Sequence, residues 1–252
     1  MKRISLFFCV ALSALVLSGC CSRHANVPPQ VGAIQRDTLL GVPCCVYLPD
    51  GYYERTTGPK AEIFPVLYLQ HGMYGIEDDW STKGNLLAIL DSLLQLGEIP
   101  EMVIIMPDNC PGYPTAEEEK AHATDGHWEG NFAQFMAEAE SRYSISTDPS
   151  QRAIAGLSMG GYHTMRVSSL LDGQFAYVGM FSPATFVHQA PSSPALLWLG
   201  IGTDDFLYEH VQNYRKWLEE NHIEYTYYES TGGHDWPNWQ DYLVRFLKHL
   251  NF

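Results

Sequence analysis

Residues 152–171 read RAIAGLSMGGYHTMRVSSLL, a strand, a turn and a helix in succession. Arg152–Ala155 is a short apolar strand, and Tyr162–Leu171 has the composition of a helix. Between them stands Gly156-Leu157-Ser158-Met159-Gly160, followed by Gly161. Glycines at 156 and 160 let strand and helix approach closely around a strained turn that lifts the Ser158 hydroxyl out. A helix N-terminus beneath that hydroxyl favours negative charge near it. Alone, a G-x-S-x-G string is only moderately specific; the strand before it and the helix after it give it meaning.

Outward from this turn, strand-like runs alternate with helix-like stretches. The strand candidates are Val42–Leu48, Phe64–Gln70, Met102–Met106, Phe175–Phe181, Leu196–Ile201 and Glu224–Glu229. Several are continuously apolar, as strands covered on both faces are. Helical patterns fill Asn85–Leu96, Phe132–Tyr143, His210–His222 and Trp239–Leu250. In the first of these, Leu86, Leu87, Leu90, Leu93 and Leu94 recur at helix spacing and predict one core-facing side. The stretch from Asp108 to Glu129 breaks the rhythm with prolines, glycines and charges, and reads as a long irregular loop. The expected fold is α/β: one domain over residues 31–252, with a mostly parallel sheet and helices on both faces.

A serine hydroxyl is a weak nucleophile at neutral pH, so it needs a base, and the base needs an orienting acid. The turn and its setting are those of the α/β-hydrolase fold, where acid and histidine follow the serine in that order, each in a loop after a strand. Two loops meet that requirement. Leu196–Ile201 runs into Gly202-Thr203-Asp204-Asp205, and Glu224–Glu229 runs into Gly232-Gly233-His234-Asp235-Trp236. Of ten histidines, His234 alone has the right place in chain order, and it is assigned as general base. Asp204 and Asp205 are both candidates for the acid. The loop after Phe64–Gln70 reads His71-Gly72-Met73-Tyr74-Gly75 and occupies the place from which this fold donates one backbone N–H to the oxyanion. The expected donors are therefore Met73 and Met159, typically worth roughly 3–4 kcal/mol each in the transition state.

The strings YLQHGMYGIEDDW, AIAGLSMGGYHT, GTDDFLYE and GGHDWPNW together resemble the esterase D-like family. That family includes feruloyl and acetyl-xylan esterases of carbohydrate esterase family 1, enterochelin esterase-like proteins, S-formylglutathione hydrolase and the antigen 85 mycolyltransferases. The resemblance runs from about Val42 to Leu250. It implies that the final aspartate of a G-T-x-D motif is the catalytic acid, which maps onto Asp205. It also implies a serine esterase that needs no metal or organic cofactor. Tyr74, Trp80, Trp128, Tyr162, His163 and Trp236 lie in or beside the motif loops and are the candidate substrate contacts.

Lys2 and Arg3 precede an apolar run, Ile4 to Leu17, that ends in Leu17-Ser18-Gly19-Cys20. A run this short with a basic start is a secretory signal and not a membrane span. The tetrapeptide resembles a bacterial lipobox, which implies that residues 1–19 are removed and Cys20 carries lipid. Residues 20–30 are then a tether, and the expected location is the outer membrane. Contact with the membrane would be through that lipid only. The formal net charge of -14 argues against a nucleic-acid partner, which would require a basic face. Of the cysteines beyond the lipobox, Cys44 and Cys45 are adjacent in a strand and should face opposite sides. Either a bridge from one of them to Cys110 or two buried thiols fits the spacing.

Within the family, export favours the carbohydrate-esterase branch, acting on acetyl or hydroxycinnamoyl esters of plant polysaccharide or oligosaccharides. It disfavours S-formylglutathione hydrolase, whose substrate is cytosolic. The alternatives are an exported siderophore esterase, and a non-catalytic glycan-binding lipoprotein on an inherited scaffold.

Overall fold

A computed structural model describes residues 32–110, 117–118 and 125–252. The signal and tether expected over 1–30, with Cys20, lie outside the described residues. Eight strands form one sheet: β1 (Ala33–Leu39), β2 (Val42–Leu48), β3 (Val66–Gln70), β4 (Val103–Pro107), β5 (Arg152–Leu157), β6 (Tyr177–Phe181), β7 (Leu196–Gly202) and β8 (Thr226–Ser230). Their order across the sheet is β1-β2-β4-β3-β5-β6-β7-β8. The six strands from β4 to β8 are parallel, while β1 and β2 add an antiparallel edge.

β1 is an element that the sequence reading lacks. Its seven residues, AIQRDTL, are mostly exposed or half-buried, because as an edge strand it pairs only with β2. A polar edge strand carries little hydrophobic signal, and its charges suit an edge that must not pair further. It is joined to β2 by Leu40-Gly41, both at positive φ, in a two-residue hairpin whose register sets Leu39 opposite Val42.

The helices are α1 (Tyr52–Arg55), α2 (Asp79–Thr82), α3 (Leu86–Gln95), α4 (His127–Arg142), α5 (Met159–Leu170), α6 (Tyr208–Glu220) and α7 (Trp236–Leu247). They cover both faces. Buried residues of α4, α5 and α6 pack with Val46, Tyr68 and Ile154 on one side, and those of α3 and α7 pack with Leu67, Leu69 and Ala155 on the other. Alternation along each strand produces this division. In β2 it sends Cys44 to one core and Cys45 to the other, and both are buried free thiols.

Two expectations need correction. Leu87 is exposed, so the buried side of α3 is narrower than the leucine pattern, consisting of Leu86, Leu90 and Leu93. α4 begins at His127, so the last part of the expected irregular loop is a helical turn. That turn buries Trp128 and Glu129, which hydrogen-bond Gln70 and His163 respectively.

Candidate active site

β5 ends at Leu157 and α5 starts at Met159, leaving Ser158 alone between them with φ 54° and ψ −116°. A positive φ is costly for a residue with a side chain, so the surroundings must impose it. They do so from both sides. The Ser158 N–H donates to Phe181 O at 2.8 Å, and its carbonyl accepts from Ala184 N–H at 3.1 Å. The turn closes this tightly only because its glycines lack side chains. A Cβ on Gly160 would stand 2.3 Å from the His71 carbonyl oxygen, and one on Gly156 would stand 2.4 Å from Gly160 O.

The loops after β7 and β8 bring the other two groups to this serine. His234 Nε2 lies 2.8 Å from Ser158 Oγ, and His234 Nδ1 lies 2.9 and 3.1 Å from the two carboxylate oxygens of Asp205. Of the two candidate acids, the structure puts Asp205 on the histidine. Asp205 is buried and also accepts the Leu207 N–H at 2.8 Å. Asp204 is exposed, and its backbone N–H donates to Gly232 O. Burial opposes the charge on Asp205, but the hydrogen bonds from His234 and Leu207 outweigh it and hold its pKa below the ordinary aspartate value. The carboxylate is therefore an acceptor for Nδ1–H, leaving Nε2 to face the serine.

The loop after β3 lies against the serine. A Cβ on Gly72 would come within 3.2 Å of Ser158 Cβ, so the following residue, Met73, starts beside Ser158. Met159, the other expected donor, opens α5, where first-turn N–H groups have no helical partner. His71 fixes the loop from within. Asn109 N–H donates to His71 Nε2 at 3.1 Å, which leaves Nδ1–H to donate to Gly72 O at 2.7 Å. Asn109 Nδ2 donates in turn to the His71 carbonyl at 2.8 Å.

Four of the six expected substrate contacts are placed in the interior. Trp80 is 1% exposed and donates Nε1–H to Gln70 O at 3.1 Å. Trp128 is buried, donating to Gln70 Oε1 at 2.7 Å, while Gln70 Nε2 donates to Thr164 Oγ1 at 3.0 Å. Tyr162 is buried, and His163 Nδ1 is 3.0 Å from the buried carboxylate of Glu129. Trp128, through Gln70, and Glu129, through His163, tie α4 to α5. Tyr74 is exposed, at φ 63°, and Trp236 is half-buried in an edge-to-face chain with Trp80 and Trp239.

Two contributors escaped the sequence reading. Gln70 joins α4 to α5 beneath the site, and nothing in its strand marks a buried glutamine as a hub. Phe206 is 73% exposed with its ring centroid 4.4 Å from that of His234, which also meets Trp239 at 4.9 Å. It directly follows Asp205, so its position in the motif was the available signal.

This arrangement can deprotonate a serine hydroxyl and return the proton to a leaving group. Among the described residues, no cluster of three histidine, cysteine or acidic side chains is placed to hold a metal.

Comparison with known proteins places relatives beside this geometry. The Esterase family model matches residues 41–250. An endo-1,4-beta-xylanase/feruloyl esterase of Xylanibacter ruminicola is 31% identical over 169 residues, which is 64% of this chain and 22% of that protein. The chain thus spans less than a quarter of that relative's length. An acetyl esterase of Caldicellulosiruptor saccharolyticus is 22% identical over 86% of this chain and 94% of its own. Among solved structures, a ferulic acid esterase of the anaerobic fungus Anaeromyces mucronatus superposes with a TM-score of 0.76 at 23% identity, covering 88% of this chain and 91% of its own.

Proposed function

The chain belongs to the Esterase family, and from that premise we propose that it is a serine carboxylesterase working through Ser158, His234 and Asp205. The observation that carries this reading is the unbroken relay from Ser158 Oγ through both imidazole nitrogens to a buried carboxylate. His234 Nε2 takes the hydroxyl proton as Ser158 Oγ attacks the ester carbonyl. The backbone N–H groups of Met73 and Met159 receive the oxyanion of the tetrahedral intermediate. His234 then gives its proton to the leaving alcohol, and an acyl-enzyme remains on Ser158. Water attacks that ester with His234 again as base, releasing the acid. Asp205 keeps the imidazole in the required tautomer throughout and balances its transient positive charge.

The substrates are acetyl or feruloyl-type esters on plant polysaccharide or its oligosaccharides. Support comes from the named activities of the bacterial relatives, and from the exposed Phe206 ring beside the base, a surface suited to an aromatic acyl group or a sugar face. The test is hydrolysis by purified protein, with Ser158→Ala alongside, of 4-nitrophenyl acetate, methyl ferulate, acetylated xylan and a catecholate siderophore ester. Turnover that vanishes in the variant is expected, with the carbohydrate or ferulate esters preferred. Absence of turnover on every ester by folded protein would favour a non-catalytic glycan binder instead.

The proposal includes export and lipid attachment at Cys20, with the outer membrane as the destination. Growth with an alkyne-bearing fatty acid should label the wild-type protein and leave Cys20→Ser unlabelled. Equal labelling of both would refute the lipid site.

A further inference from the structure

The segment that leaves β6 holds the nucleophile and then builds a second cleft. Ala184 N–H donates to the Ser158 carbonyl at 3.1 Å. One residue further on, the chain turns along α6 and the two enclose an open cleft of about 480 Å³. Its walls combine rings with a few polar groups, the composition of small-molecule sites. Phe186, 56% exposed, meets His210 edge-on at 5.6 Å. His188 lies 5.7 Å from the ring of Trp217, which is itself stacked on buried Tyr214 at 5.9 Å. Asn213 adds an exposed amide to the lining.

Two further observations specify the ligand. Thr185 is 2% exposed and lines the cleft, yet its hydroxyl has no hydrogen-bond partner among the described residues. A buried hydroxyl is costly to leave unpaired, so a turn of the Thr185 side chain that brings it to the cleft is favoured by a polar group seated there. The lining's lysine, Lys216, already faces Glu220 at 3.7 Å, and no net positive charge is left over for an anion. Rings that offer flat apolar faces, beside neutral donors and acceptors, suit a molecule with C–H faces and hydroxyl edges.

We propose that this cleft is a second binding site for a neutral saccharide chain, the carbohydrate on which the scissile ester is carried. This choice of ligand rests on the esterase reading above. The cleft adjoins the segment that pins Ser158, so a chain seated there holds its ester side groups near the nucleophile at high effective concentration. Small esters without a chain gain nothing from it.

The test uses unesterified xylohexaose and amide chemical-shift mapping on the Ser158→Ala protein. Shifts should cluster at Thr185–His188 and along His210–Glu220. They should weaken in versions that also carry Phe186→Ala or Asn213→Ala, both at exposed positions where the fold is not at stake. With Ser158 intact, Phe186→Ala should lower the ratio of kcat/KM on acetylated xylan to that on 4-nitrophenyl acetate by about fivefold. No binding at millimolar xylohexaose, shifts confined to the Ser158–His234 region, or an unchanged ratio would each overturn the site. Ester turnover without xylohexaose binding sinks the cleft and spares the esterase. Binding at the cleft without turnover on any ester does the reverse.

Discussion

The imidazole of His234 contacts the rings of Phe206 and Trp239 and is hydrogen-bonded at both nitrogens, so its orientation is set within the protein. A base fixed in this way cannot be replaced by its neighbours. His234→Ala should lower kcat by about 10⁴-fold or more with an unchanged circular-dichroism spectrum; residual turnover near wild type would remove it as base. The two adjacent aspartates should separate cleanly. Asp205→Asn replaces an ionised acceptor with an amide that can present N–H to Nδ1, favouring the wrong tautomer, and should cost about 10³–10⁴-fold in kcat. Asp204→Asn changes an exposed side chain, and its kcat should stay within about twofold; the opposite ranking would move the acid to Asp204. On the proposed function, Phe206 serves recognition and not proton transfer. Phe206→Ala should raise KM for methyl ferulate by about three- to tenfold, with a smaller change on 4-nitrophenyl acetate. A loss confined to kcat and equal on both esters would mean that the ring only steadies His234.

The elements around the site are joined by contacts that bear on stability. Glu129 in the first turn of α4 meets His163 in α5, both buried. Burial works against the Glu129 charge, but His163 and Arg166 prevail and keep its pKa below the usual glutamate range. A depressed native pKa stabilises the fold at pH values above the unfolded pKa, and that contribution is lost as pH falls through the native one. Glu129→Gln should therefore destabilise by about 1–3 kcal/mol at neutral pH. The gap in urea midpoint from wild type should narrow on acidification below the ordinary glutamate pKa. A gap independent of pH would assign the effect to packing.

At the same scale, sequence legibility follows from how local each signal is. β2 to β7 are readable because their apolar runs are largely buried, and β8, although a half-buried edge, because its tyrosines and threonine suit a strand; each observed boundary falls within two residues of the expected one. The Ser158 turn was readable because its glycines answer a local backbone demand. β1 was not, since an edge strand exposes polar residues. The true start of α4 was not, because its first turn follows prolines and charges that read as loop. Gln70 and the Glu129–His163 pair depend on partners 58, 94 and 34 residues away, and no local pattern records such contacts.

At the scale of the molecule, the parallel strands all deliver their C-terminal ends to one edge, where the loops after β3, β5, β7 and β8 converge on Ser158. Such a crevice outside the carboxyl ends of the strands is where open α/β sheets place ligands. The chain around it carries 29 acidic against 15 basic residues, so its long-range field repels anions wherever the site lacks compensating cations. Substrates should therefore divide by charge. For a neutral ester such as methyl ferulate, kcat/KM should be nearly flat as salt rises. For an ester on a uronate-bearing oligosaccharide it should climb by about two- to threefold between 10 mM and 300 mM salt, as screening shortens the reach of the repulsion to within about 6–10 Å. Parallel measurement of both substrates across that range removes general salt effects on the enzyme, because these would move both rates together. A fall in the rate on the uronate ester with salt would instead reveal a local cationic subsite strong enough to reverse the field of the whole molecule. It would shift the expected substrates from neutral to acidic carbohydrate esters.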